Sequence, residues 1–198
     1  MMKKLAHALI CCIAAAAIAG CATSPQPRFY MLSSTPLPEG VPAVSCSLSV
    51  GPVFVPAAVD RPQIVIRTGK NEVFINEFER WAAPLKNDIG RIVAENLVSM
   101  LGTKQVTLFP QAAAAGASYR VAIDVLRFDS EPGLKASLDA LWTVRSAKEV
   151  KSRRGRTTRT ETAKGNDYAA LAAAHSRALG HLSAEIAAAI REIETLKP

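Results

Sequence analysis

The sequence predicts an α/β chain, a single domain in which a mixed, largely antiparallel sheet is packed with two main helices. Three observations carry that reading. Between residues 29 and 161, short β-branched or alternating segments recur between turns rich in Pro and Gly. Two other segments, one opening near Pro84 and one running from Asp167 to about Thr195, repeat apolar residues every three or four positions. The length of 198 residues, with 49% hydrophobic and 21% charged, suits one domain and excludes a chain too polar to offset its ordering entropy.

The first element is not part of the fold. Met1-Met2-Lys3-Lys4 precedes Leu5 to Ile18, a stretch of 14 uncharged residues, whereas a membrane-spanning helix needs about 20. A basic start, a short apolar run and then small residues make a secretory signal. The run ends Ile18-Ala19-Gly20-Cys21, which resembles the lipobox of bacterial lipoproteins. Small residues let the extended backbone enter the peptidase, which would cut between Gly20 and Cys21. The Cys21 thiol is the side chain there able to take a thioether-linked diacylglyceryl group. Residues 1–20 are thus read as signal peptide, 21–28 as lipidated tether and 29–198 as the domain.

Each buried methylene of an acyl chain contributes about 0.8 kcal/mol, and one chain holds only marginally. A diacylglyceryl group plus an N-acyl chain such as palmitate gives stable anchoring. In Gram-negative lipoproteins of this kind an Asp after the cysteine signals retention in the inner membrane, and here Ala22 follows. The expected location is therefore the periplasmic face of the outer membrane.

Cleavage removes Lys3, Lys4, Cys11 and Cys12, leaving 22 basic against 17 acidic residues. With Cys21 acylated, Cys46 has no second thiol for an intramolecular disulfide. Its place in Cys46-Ser47-Leu48-Ser49-Val50 favours a buried small hydrophobe over a nucleophile.

Phe29-Tyr30-Met31-Leu32 reads as a first strand, and the Pro-rich segment from Ser33 to Pro42 as loop. A second strand runs from about Ser45 to Val55, with a bulge or bend at Gly51-Pro52. Gln63 to Arg67 and Glu72 to Ile75 flank Thr68-Gly69-Lys70-Asn71 as a hairpin. Pro84 suits the opening position of the first helix, whose apolar stripe includes Leu85, Ile89, Ile92, Val93, Leu97 and Leu101. Lys86, Asp88, Arg91 and Glu95 take the wet face, and Gly102 stops it.

Val106 to Phe109 is a further strand, followed by an alanine-rich linker from Gln111 to Ser118. Tyr119 to Phe128 and Leu134 to Val144 alternate apolar and polar residues on either side of Asp129-Ser130-Glu131-Pro132-Gly133, a long antiparallel hairpin with one wet face. The third member, Lys148 to Glu161, interleaves Lys151, Arg153, Arg154, Arg156 and Arg159 with Ser and Thr and reads as an edge. The final helix buries Leu171, His175, Leu179, Leu182, Ile186, Ile190 and Ile193 on one stripe.

The catalytic inventory is thin. His175 and His181 share the last helix at a spacing of six, unlike the four-residue pairing of a helical metal site. There is no nucleophile elbow, Walker loop or dinucleotide fingerprint. Neither catalysis nor a cofactor or metal is expected. The basic strand lacks the interleaved aromatics of a nucleic-acid surface, and an exported lipoprotein meets little nucleic acid. Two readings of it stay open: an edge charged against aggregation, or a contact for lipid or lipopolysaccharide phosphates made by Lys151, Arg153, Arg154, Arg156 and Arg159.

Several segments, in this order, resemble the PqiC (YmbA) intermembrane-transport lipoproteins, the ABC-type transport auxiliary lipoprotein component. They are Arg28-Phe29-Tyr30-Met31-Leu32, Val50-Gly51-Pro52-Val53, Asp60-Arg61-Pro62-Gln63-Ile64-Val65, and Phe78-Glu79-Arg80-Trp81-Ala82-Ala83-Pro84-Leu85. Further on come Tyr119-Arg120-Val121 to Phe128-Asp129, Ala140-Leu141-Trp142, and Tyr168-Ala169-Ala170-Leu171 to His175-Ser176-Arg177-Ala178-Leu179.

The resemblance implies a non-enzymatic lipoprotein that docks the periplasmic tunnel of an MCE-domain protein (PqiB-like) to the outer membrane. It further implies an indirect polytopic inner-membrane partner, a role in envelope integrity and a homo-oligomeric ring. Asp60, Arg61, Pro62 and Trp81 are motif residues with a structural or partner-binding role. Pro62 can set φ at a strand entry and Trp81 can anchor the helix start. The basic stretch follows no family pattern. A lipoprotein regulator of a cell-wall synthase or other envelope assembly machine is the alternative. A periplasmic hydrolase using His175 or Asp60 is a third.

Overall fold

Backbone pairing divides the predicted sheet into two. In the computed structural model, which describes residues 25–35, 42–147 and 152–195, the strands are β1 (Arg28–Tyr30), β2 (Leu48–Phe54), β3 (Gln63–Arg67), β4 (Val73–Trp81), β5 (Val106–Leu108), β6 (Tyr119–Glu131), β7 (Lys135–Ser146) and β8 (Ser152–Thr162). The helices are α1 (Leu85–Leu101) and α2 (Tyr168–Thr195), with a 3-10 turn at Ala112–Gly116 inside the predicted linker. Gly20, Cys21 and Lys151 lie outside the described residues.

One sheet has the order β1-β4-β3 and the other β5-β2-β6-β7-β8. β2 runs parallel to both β5 and β6, whereas β6, β7 and β8 form the antiparallel meander that the alternation predicts. β8 is an edge strand.

The β3-β4 hairpin is longer than the local pattern predicts. β4 continues to Trp81 because the N-terminal segment supplies a partner: β1 pairs with Glu79 to Trp81 in parallel register. Apolar periodicity in one stretch of sequence carries no sign of a pairing half a hundred residues away.

Pro84 precedes the first helix instead of opening it. Its ψ of 125° is extended, and its carbonyl accepts from the N–H groups of Asn87 and Asp88 at 2.9 and 3.1 Å. Gly102, at φ 64°, closes α1 in the left-handed conformation that glycine adopts without a Cβ penalty. Asp88 corrects the predicted wet face, since it is buried at 2% exposure.

Both helices pack their apolar stripes on one face of the five-stranded sheet. Leu85, Ile89, Leu97, Leu179, Leu182, Ile186 and Ile190 join Tyr119, Val121, Ile123 and Val144 in one core. Cys46 is buried just ahead of β2, and its carbonyl accepts from Thr103 Oγ1 at 2.6 Å.

Register shifts interrupt three ladders: in β2 between Val50 and Val53, in β3 between Gln63 and Val65, and in β6 between Val125 and Arg127. At the first, Gly51 has a φ of +119° and a Cβ there would lie 3.0 Å from Phe109 Cβ.

Candidate binding face

Strand alternation decides which side chains meet the helices and which meet solvent. On β6, Tyr119, Val121, Ile123 and Val125 are buried toward the helices, while Arg120 and Asp124 are exposed on the other face. On β7, Leu141 and Arg145 share that outer face with half-buried Thr143.

β8 obeys the same rule, and this separates the predicted basic cluster. Arg153 and Arg159 turn toward α2, where Arg153 Nε lies 3.5 Å from Glu192 and Arg159 Nη2 lies 3.0 Å from Glu185. Thr157 Oγ1 adds a donor to Glu185 at 2.5 Å, and Glu161 accepts from Arg177 at 2.9 Å. Arg154 and Arg156 turn to the outer face. Arg156 grips Asp139 through two parallel N–H···O contacts of 2.8 and 2.6 Å, and this pairing holds the Asp139 carboxyl below its ordinary range. Among the described residues, Arg154 pairs with no carboxylate.

The five residues predicted as one lipid contact are therefore not one surface. Two belong to the α2 seam, one to an ion pair, one stands open, and Lys151 lies outside the described residues.

What the outer face does bring together was not singled out in the sequence. Arg120 on β6 stands directly opposite Arg145 on β7. Thr143, two residues from Arg145, is opposite Arg154. Directly opposed like charges on a sheet destabilise it, and among the described residues no carboxylate is paired with any of the three.

Arg120 and Arg145 form one wall of an open groove of about 650 Å³. Pro52, Phe109, Ala112 and Ala115 line its other side, and Phe109 is 55% exposed. The positive φ of Gly51 and the close approach of Phe109 shape this shelf.

The motif residues lie elsewhere. Asp60, Arg61 and Pro62 form an exposed turn, with Asp60 Oδ2 3.1 Å from Lys86 Nζ and Arg61 Nε 3.4 Å from Gln63 Oε1. The Pro62 carbonyl accepts from the Trp81 N–H at 2.7 Å. Trp81 is buried and meets Phe128 edge-on, ring centroids 6.2 Å apart.

The two histidines serve different environments. His175 is fully buried, stacks on Phe128 at 3.7 Å and shares a 2.8 Å hydrogen bond with Ser130 Oγ. Burial pushes its pKa down to about 3, which keeps the ring neutral. His181 is half exposed and lies 3.2 Å from Glu161.

A fourth feature connects the domain to its N-terminus. Leu32 is buried, its N–H donating to Asp88 Oδ2 at 2.9 Å and its carbonyl accepting from Arg91 Nη2 at 2.9 Å. The Ser33 N–H donates to Ser176 Oγ at 3.0 Å and the Thr35 N–H to Asn96 Oδ1 at 2.9 Å. Glu79, itself buried, accepts from Arg28 and from Tyr30 Oη. Residues 28–35 are thereby bonded to α1, α2 and β4.

Among the described residues no helix is long and apolar enough to cross a membrane. The family model for the ABC-type transport auxiliary lipoprotein component matches residues 30–187. No curated protein matches the chain. Among solved structures, protein XCC0632 of Xanthomonas campestris, from the DUF330 family, is 23% identical with a TM-score of 0.64, covering 85% of this chain and 98% of its own. A second, functionally uncharacterized protein is 18% identical with a TM-score of 0.63, covering 85% and 99%. Both likenesses concern the fold.

Proposed function

This chain belongs to the family of ABC-type transport auxiliary lipoprotein components, and from that membership we propose that it is a non-enzymatic adaptor anchored in the outer membrane. In this reading it docks the periplasmic tunnel of an MCE-domain protein, PqiB-like, to that membrane. The tunnel in turn meets a polytopic inner-membrane partner. Copies of the adaptor assemble as a ring around the tunnel end, and its work supports envelope integrity by holding a lipid route in place.

The observation that carries the reading is the bonding of residues 28–35 into the core. A freely tethered enzyme gains nothing from a stiff connection to its anchor. A docking part does, because Leu32, Ser33 and Thr35 fix the start of the domain to α1 and α2, so the fold itself sets the point from which the tether leaves. The buried Leu32 N–H, satisfied by Asp88, together with the half-buried bonds of Ser33 to Ser176 and Thr35 to Asn96, makes that segment costly to peel away.

The test is affinity isolation of the full-length lipidated protein from crosslinked cell envelopes. The adaptor reading predicts recovery of an MCE-domain protein. Recovery of a cell-wall synthase with no MCE protein would select the regulator instead.

A further inference from the structure

We propose that the outer face of the five-stranded sheet is a binding site for a single anionic phospholipid, its phosphate between Arg120 and Arg145 and its acyl chain along the shelf of Pro52, Phe109, Ala112 and Ala115. The supply of lipid rests on the envelope location argued above; the site itself does not depend on the MCE partner.

The like-charge pair is the starting point. Arg120 and Arg145 are direct cross-strand neighbours and both line the groove. Arg154 stands beside them on the third strand, opposite Thr143. Like charges at directly opposed positions on a sheet repel each other, and an anion between them relieves that repulsion. The carboxylates of the same face are placed elsewhere: Asp139 is taken by Arg156, and Asp124 lies four residues along β6 from Arg120. Guanidinium forks match phosphate oxygens in pairs, which a lysine point charge does not.

The shelf decides what kind of anion. A free phosphate would use the arginines and leave the apolar wall idle. An acidic peptide would need cations spread along its length, whereas here they gather on one wall and the opposite wall is Pro, Phe and Ala with Gln111 as its polar member. Charge on one side and apolar surface on the other is the pattern of an amphiphile, and a concave site of this kind with few polar groups is the usual form of a small-molecule pocket. An exposed Phe109 on that wall gains contact when a chain covers it.

The experiment uses the full-length lipidated protein in an uncharged detergent. Native mass spectrometry counts bound dioctanoyl phosphatidylglycerol, with dioctanoylglycerol, inorganic phosphate and polyglutamate as separate arms. Wild type and the exposed-site control Lys104→Gln should bind one phosphatidylglycerol. Arg120→Gln/Arg145→Gln should bind it about tenfold more weakly or worse, the loss expected when charge-assisted contacts go.

Thermal unfolding adds a readout that separates binding from folding. Without lipid the double variant should melt no lower than wild type, because the repulsion is gone. With lipid, only wild type should gain stability. Equal phosphatidylglycerol binding by the double variant overturns the proposal. Phosphate binding with no gain from the acyl chains reassigns the site to free anions. Polyglutamate binding in place of lipid reassigns it to a peptide. Loss of lipid with MCE recovery intact, or the reverse, tells the failure of this site from the failure of the docking reading.

Discussion

The N–H of Leu32 donates to Asp88 Oδ2 at 2.9 Å across 56 residues of chain. Arg91, one turn further along α1, donates both to Asp88 Oδ1 and to the Leu32 carbonyl. Both backbone polar groups of a buried leucine are thus met by one turn of helix. The residue pair joins the N-terminal segment to the centre of the fold, and it explains why an acid on the first helix faces inward.

Replacing Asp88 by Ala leaves the Leu32 N–H without its acceptor and deprives Arg91 of one of two carboxylates, Glu95 remaining at 2.7 Å. The expected loss of stability is about 3 kcal/mol. Urea unfolding of wild type and D88A measures it, and a difference under about 1 kcal/mol would show that the clamp is not holding the segment.

Gly155 on β8 stands opposite Trp142 on β7. A Cβ at that position would lie 2.7 Å from Trp142 Cε2 and nearer still to Cζ2. The ring cannot swing aside freely, since its Nε1–H donates to Thr157 Oγ1 at 3.1 Å. Gly155→Ala should destabilise by about 1 to 3 kcal/mol through overpacking and change the near-ultraviolet circular dichroism of the indole. An unchanged spectrum and midpoint would contradict this packing.

His175 gives the protein a pH dependence of defined sign. The folded chain protonates it only near pH 3, against 6.5 for the ordinary side chain. Between those values the unfolded chain binds the extra proton, so stability is full above about 6.5 and falls as the pH drops. One proton gives a slope of about 1.4 kcal/mol per pH unit. Denaturant titrations at several pH values should show that slope in wild type and its loss in His175→Gln; parallel curves for the two would refute the assignment.

Much of the fold is written in local periodicity. The stripe of α2, the alternation of β6 and β7 and the edge position of β8 follow directly from residues spaced at three, four or two. The division into two sheets does not, because β1 reaches β4 through backbone hydrogen bonds that leave no local pattern. The outer face was harder still. A regular hairpin closed at Glu131 and Lys135 would set Arg120 against Ser146, but the bulge between Val125 and Arg127 adds one residue to β6 and moves Arg120 opposite Arg145. Bulge position is set by tertiary packing, so the charge pair was invisible in the sequence. The run of arginines on β8 is divided for a related reason: a strand sends alternate residues to opposite faces, and proximity along the chain is not proximity in space.

The most direct test of the account concerns Cys21. Cells labelled with radioactive palmitate and separated on a sucrose gradient should show wild-type protein labelled and in the outer-membrane band. The Cys21→Ser protein should be unlabelled, released from the membrane and unable to restore envelope integrity. A Cys21→Ser protein that stays membrane-bound and restores function, or wild type in the inner-membrane band, would contradict the account.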